Sequence, residues 1–72
     1  MKEYHVNGSQ RVKGNFQLYV TCEDSRGWFL WKHFDDLEEC YSETFTVPHI
    51  SDSKIIEIHK DGSKEQVYFY MD

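Results

Sequence analysis

The 72-residue sequence lacks the segments that would direct it to a membrane or out of the cell. No apolar run approaches the ~18 residues that a membrane-spanning helix needs. Residues 1–10 contain no apolar stretch of the kind that a secretory signal carries. We therefore expect a cytoplasmic protein that does not bind a membrane. Cys22 and Cys40 fit reduced thiols in that compartment.

The sequence also lacks the motifs of catalysis and metal binding. It has no CxxC or HxxxH pair and no Gly-rich phosphate loop. A structural zinc site needs four converging ligands, but the four histidines are scattered. A thiol enzyme needs a base beside its cysteine, and nothing in the spacing of Cys40 and His33 pairs them. We therefore expect no catalytic residue, metal or cofactor, and a protein that is not an enzyme.

Positive charge is scarce, because 8 Lys and Arg residues stand against 13 Asp and Glu residues, giving a net charge of −5. Nucleic-acid binders usually carry a basic stripe, so direct nucleic-acid binding is not expected. A negative protein suits a basic partner, such as the nucleic-acid groove of another protein. The alternative is that the charge only maintains solubility.

Aromatic residues, at 17% of the chain, are plentiful and fall in period-two patterns. Residues 16–22 alternate between apolar and polar, which predicts a half-buried strand. Residues 28–31, Trp-Phe-Leu-Trp, are apolar at every position, which predicts a central strand covered on both faces. The strands 16–22 and 28–32 should form an antiparallel hairpin. Tyr4 and Val6 indicate a short first strand paired with residues 10–13.

A second hairpin is predicted near the end of the chain, with Asp61-Gly62 at its turn. Its strands are residues 54–60 and 66–71. The expected core, on the side that faces the helix, comprises Phe16, Leu18, Val20, Leu37, Tyr41, Ile56, Ile58, Val67 and Phe69.

One short helix is predicted between the two hairpins. Asp35 is the expected N-cap, with Glu38 completing a capping box. Pro48 ends the segment. The predicted fold is α+β: an antiparallel four- to five-stranded sheet in the order β-β-β-α-β-β, with the helix on one face. A small curled SH3-like barrel is the alternative.

Two surfaces are candidates for binding a partner. The first is the acidic helix surface, which could meet a basic groove or could be only a solvated face. Its members are Asp35, Asp36, Glu38, Glu39 and Glu43. The second is the sheet face away from the helix, which a curled sheet, a homodimer or a target could cover. This face should carry Tyr19, Tyr68, Tyr70, Ile55 and one of the pairs Trp28/Leu30 or Phe29/Trp31. The candidate binding residues on it are Tyr19, Trp28, Tyr68 and Tyr70.

The order of these motifs resembles that of small phage-encoded proteins in which an aromatic strand, a helix opening F-x-s-L-e-E-A and a hairpin with a D-G turn follow one another. Phe34, Leu37, Glu38, Glu39 and Cys40 match the helix opening. The hairpin is matched by Ile55, Ile56, Ile58, Asp61 and Gly62, and the resemblance covers about residues 16–70.

Proteins of this kind include anti-CRISPR proteins, inhibitors of bacterial RNA polymerase and acidic dimeric inhibitors of uracil-DNA glycosylase. The resemblance implies a stoichiometric inhibitor from a phage or mobile element, acting in the host cytoplasm on a nucleic-acid-handling protein. It implies no catalytic residue. A homodimeric domain with an aromatic dimer seam is the alternative function.

Overall fold

The computed structural model describes residues 1–8, 10–24 and 26–71. The elements follow the predicted order, and their bounds are β1 Lys2–Val6, β2 Lys13–Cys22, β3 Phe29–Asp36, α1 Leu37–Glu43, β4 Ile50–Ile58 and β5 Lys64–Met71. The strands form one five-stranded sheet in the order β1-β5-β4-β2-β3, and α1 packs on one face. The prediction of a small α+β fold with one short helix is therefore confirmed.

The sheet is mixed, so the prediction of a purely antiparallel sheet is wrong. β1 pairs in parallel with β5, from Lys2 opposite Val67 to Val6 opposite Met71, while the other pairs are antiparallel. The chain does turn at Asn7-Gly8, where Gly8 has a φ of 56°. Residues 10–12 form no strand, so the predicted pairing of the first strand with residues 10–13 is wrong. The carbonyl of Val12 instead accepts a hydrogen bond from Leu37 N at 2.9 Å.

The core lies between α1 and one face of the sheet. Six of the nine residues expected there are buried, and Tyr41 packs against them with part of its surface exposed. Val6 completes the core from β1, since the parallel pairing brings it beside the end of β5. The buried apolar residues are Val6, Phe16, Leu18, Val20, Leu37, Cys40, Val47, Ile55, Val67 and Phe69.

The prediction that Ile56 and Ile58 belong to this core, with Ile55 on the far face, is wrong. Residues opposite one another in paired strands share a face. Ile55 is opposite Leu18 and Val67 and is only 6% exposed, whereas Ile56 is opposite Gln17 and Gln66 on the other face. β4 carries isoleucine on both faces, so its alternation could not decide the orientation. The register with β2 decides it.

The prediction that residues 28–31 form a central strand is also wrong. In the described part of the chain β3 pairs only with β2, whose other side is taken by β4. β3 is therefore an edge strand, and Trp28, Phe29, Leu30 and Trp31 are each between 41% and 48% exposed. A register shift between Leu18 and Tyr19 leaves one extra residue on β3, a β-bulge at Trp31.

The two neighbouring isoleucines of β4 give a matched test of this register. We expect Ile55→Ala to lower the free energy of unfolding by about 2–5 kcal/mol, because it opens a cavity in the core. Ile56→Ala removes the same atoms from a half-exposed position and should cost clearly less. Urea denaturation of both variants measures the difference. Equal losses, or a larger loss for Ile56→Ala, would contradict the observed orientation of β4.

Candidate protein-binding surface

The helix N-cap is Asp36, and the prediction of Asp35 is wrong. Strand β3 continues to residue 36, whose φ of −132° is still extended. Its Oδ1 accepts a hydrogen bond from the backbone N–H of Glu38 at 2.9 Å, which satisfies a donor of the first helical turn. Asp36 is 0% exposed, so it does not belong to the exposed acidic surface in which the sequence pattern placed it.

The buried carboxylate of Asp36 has two cationic partners. Arg11 lies in the segment before β2, and Lys13 is the first residue of β2. Arg11 Nη2 lies 2.5 Å from Asp36 Oδ2, and Lys13 Nζ lies 3.4 Å from the same oxygen. Burial alone would raise the pKa of Asp36. The hydrogen bond from Glu38 N–H, the Arg11 guanidinium and Lys13 outweigh burial and lower that pKa below its ordinary value.

Arg11 also neutralises part of the acidic helix surface. Its guanidinium lies 3.5 Å from a carboxylate oxygen of Glu38 and 3.6 Å from one of Glu39. Glu38 is therefore half-buried beside Arg11, while Glu39 keeps 58% of its side chain exposed. Sequence reasoning missed Arg11 and Lys13, because no local pattern indicates that residues 11–13 cross the start of the helix.

Three acids lie along the side of β3, and we call Asp35, Glu39 and Glu43 the acid row. Glu39 and Glu43 are one turn apart on α1. Glu43 Oε2 accepts a hydrogen bond from Trp31 Nε1 at 3.0 Å, and this bond is the main cause of the lowered pKa of Glu43. Between Asp35 and Glu39 lies an open depression of about 500 Å³, which Lys32, His33 and Phe34 also line.

Next to the acid row lies an exposed apolar strip, and we call Trp28, Phe29, Leu30 and Trp31 the aromatic edge. From the sequence, only one of the pairs Trp28/Leu30 and Phe29/Trp31 was expected on the open sheet face, and only Trp28 was named as a binding residue. The exposure of both pairs was missed because apolar residues on both faces of a strand are typical of a central strand as well as of an exposed edge. The hydrogen bond from Trp31 to Glu43 joins the two features into one surface.

Two further acids, Glu23 and Asp24, lie at the opposite end of the β2–β3 hairpin from the helix acids. Lys13 at the start of β2 is opposite Asp36, while Val20 near its end is opposite Phe29. The turn that carries Glu23 and Asp24 follows the end of β2. These two acids are therefore remote from the start of α1.

The four aromatic residues expected on the far face of the sheet form two separate groups. Tyr19 and Trp28 flank Lys54, whose Nζ lies 5.9 Å from the Tyr19 ring centre and 4.5 Å from that of Trp28. Tyr68 and Tyr70 are on β5, two strands away in the sheet order. The Tyr70 ring stacks on His5 at 4.8 Å. The far face is therefore not one continuous aromatic patch.

Neither thiol has a partner cysteine in the described part of the chain: Cys22 is half-buried and Cys40 is buried. Burial, with a smaller effect of Glu43, raises the pKa of Cys40 to about 12. Over residues 1–8, 10–24 and 26–71, no group of three or more His, Cys, Asp and Glu side chains could hold a metal ion. No helix in these ranges is long and apolar enough to cross a membrane.

Comparison with known proteins gives no relative for this chain: no family model, no curated protein and no solved structure matches it.

The lowered pKa of Asp36 leads to a prediction about the stability of the fold at low pH. The unfolded state binds a proton at Asp36 at a higher pH than the folded state does, so this group stabilises the fold above its ordinary pKa of 3.8. That contribution is lost as the pH falls below about 5 and through the folded pKa. Asp36→Asn should therefore lower the free energy of unfolding at pH 7. It should also flatten the acid limb of the stability–pH profile, which is the fall in that free energy as the pH decreases. Urea denaturation at a series of pH values measures both effects.

Asp35→Asn is the matched control, since Asp35 is exposed and caps nothing. We expect it to leave both the stability at pH 7 and the acid limb nearly unchanged. An acid limb that stays equally steep in Asp36→Asn would show that other carboxylates carry the pH dependence.

The burial of Cys40 leads to a prediction about its reactivity toward alkylating reagents. The thiolate is the reactive form, and a pKa of about 12 leaves almost none of Cys40 ionised at pH 8. Iodoacetamide should therefore modify only Cys22 in the folded protein and both cysteines in urea, as counted by mass spectrometry. Cys22→Ser should remain unmodified when folded. Rapid labelling of that variant would show that Cys40 is accessible.

Proposed function

We propose that this protein is a non-enzymatic binding protein that covers a basic surface of another protein. The observation that carries the proposal is the joining of the aromatic edge to the acid row by the Trp31–Glu43 hydrogen bond. A surface with exposed tryptophans beside a row of carboxylates can offer both apolar contact and ion pairs to one partner.

The two halves of this surface have different physical roles. Tryptophan is enriched among the residues that dominate binding energy, because it removes a large area from water on contact. Carboxylates mainly accelerate encounter with a basic partner and exclude acidic ones. Trp31 is also held in place before contact, since its Nε1 already donates to Glu43. That pre-organisation reduces the entropy lost on binding.

We propose further that the target is a host protein that handles nucleic acid, and that the chain is a phage or mobile-element inhibitor acting in the host cytoplasm. An anti-CRISPR protein is the first choice. Two facts support this: the net charge of −5, which suits a groove built for phosphates, and the resemblance of residues 16–70 to small phage inhibitors. Inhibition would be stoichiometric, because the carboxylates would occupy the place of phosphate groups.

The acid row gives the test of this proposal. Affinity capture from the host lysate, followed by mass spectrometry, identifies candidate targets. The double variant Glu39→Gln, Glu43→Gln should then bind the purified target at least about tenfold more weakly at low salt, equivalent to ~1.4 kcal/mol. The loss should shrink as salt is raised, because screening weakens the ion pairs. Calorimetric titration measures both effects.

The double variant Glu23→Gln, Asp24→Asn is the matched control. It changes the net charge by the same two units, at the other end of the hairpin. We expect it to bind nearly as well as the unaltered protein. Equal weakening by both double variants would indicate a general charge effect, and no weakening by either would show that the acid row is only solvated surface. A target that still binds its nucleic acid in the complex would contradict the inhibitor proposal.

A further inference from the structure

We propose that the sheet face away from α1 binds one free mononucleotide, in an open cleft beside Lys54. The cleft has a volume of about 220 Å³. It is lined by Tyr19, Trp28, Lys54, Ile56, Lys64 and Gln66, together with the acid Glu65. This inference concerns a small molecule and does not rest on the proposed protein target.

The pairing of three strands brings the floor of the cleft together. Tyr19 of β2 lies opposite Lys54 of β4, and Ile56 of β4 lies opposite Gln66 of β5. Alternate residues of a strand share a face, so these four side chains lie on the face opposite to that of the buried Ile55. Neighbouring strands therefore place an aromatic ring, an ammonium group, an apolar side chain and an amide side by side.

The two ammonium groups of the cleft have no carboxylate partner. In the part of the chain that the structure describes, neither Lys54 nor Lys64 makes a salt bridge. Glu65, the acid that lines the cleft, already has a partner, since its Oε1 lies 3.1 Å from His59 Nε2. Ammonium groups form their strongest hydrogen bonds with anionic oxygens, so the cleft favours a ligand that carries a phosphate.

The other lining groups suit a flat heteroaromatic ring. The Tyr19 ring is held in place because its hydroxyl donates a hydrogen bond to Gln17 Oε1 at 3.3 Å, and Trp28 is 41% exposed. Aromatic side chains of this kind are the surfaces on which nucleobases stack. The side-chain amide of Gln66 is half-buried and has no hydrogen-bond partner among the described residues, so it can both donate to and accept from ring atoms.

The size and charge of the cleft limit the ligand to a single nucleotide. Pockets that enclose drug-sized ligands begin at about 300 Å³, so a cleft of about 220 Å³ holds the base and leaves part of the ligand in water. A bound strand needs a basic groove along its backbone. Here Glu3 and Asp52 are exposed on the same face, opposite Tyr68 and Thr21. We therefore expect a Kd for one mononucleotide of about 0.1 to 1 mM.

Titration of the isotope-labelled protein with adenosine monophosphate, followed by amide NMR, tests the inference. The signals that shift should be those of the cleft, around Tyr19, Lys54 and Gln66. Adenosine lacks the phosphate and inorganic phosphate lacks the ring, so each should bind at least about tenfold more weakly. Phenyl phosphate has a ring without hydrogen-bonding atoms and should also bind more weakly than adenosine monophosphate.

Three variants assign the binding to named side chains. Lys54→Met removes the charge but keeps the length of the side chain, and it should weaken binding of adenosine monophosphate at least about tenfold. Lys32→Met is the matched control and should bind normally, because Lys32 also lies over a ring, 5.5 Å from the centre of Phe34, but beside the acid row. Gln66→Leu should lower the affinity for adenosine monophosphate to that for phenyl phosphate and leave the affinity for phenyl phosphate unchanged. Thermal midpoints near that of the unaltered protein confirm that the variants fold.

Any of four results would overturn the inference. The first is no binding of adenosine monophosphate up to about 10 mM. The second is equal affinity for adenosine monophosphate and inorganic phosphate, which would show a patch that attracts any anion. The third is equal weakening by Lys54→Met and Lys32→Met, which would show an effect of total charge. The fourth is a short oligoadenylate that binds about tenfold more tightly per nucleotide, which would show a face for strands.

Discussion

The buried carboxylate of Asp36 is the contact on which the arrangement of strand, helix and binding surface depends. It ends β3, caps α1 through Glu38 N–H and holds Arg11 and Lys13 against both. Burying a charge is costly unless it is paired and hydrogen-bonded, so these partners offset the cost of burying Asp36. Because they fix the start of α1 at the end of β3, the helix runs back along the edge strand. The acid row lies beside the aromatic edge for this reason.

A second constraint explains why that edge is exposed. The helix Leu37–Glu43 has only seven residues and cannot cover a five-stranded sheet. It covers the middle of one face, where β2, β4 and β5 contribute Leu18, Ile55 and Val67. β3 lies at the edge of this region, and α1 is joined to it by the hydrogen bonds from Glu38 N–H to Asp36 and from Trp31 to Glu43. Its apolar residues therefore have no partner within the described chain that covers them fully.

The local sequence pattern predicted which strands and helix occur and in which order. It predicted less well which strands lie next to one another in the sheet. The order of strands and helix followed from alternation, turns and the position of Pro48, all of which are properties of adjacent residues. The orientation of β4, the parallel pairing of β1 and the edge position of β3 depend on which strands pair, and that is set by contacts distant in sequence. Asp35 and Asp36 are equivalent as caps by residue type. Only the approach of Arg11 and Val12 distinguishes them.

The two halves of the proposed binding surface respond differently to salt. The contribution of the net charge of −5, and of Glu39 and Glu43 within it, weakens as screening increases. The contribution of the aromatic edge comes from apolar area removed from water and does not depend on attraction between charges. The salt dependence of the affinity for a basic target therefore separates the share of the acid row from that of the aromatic edge.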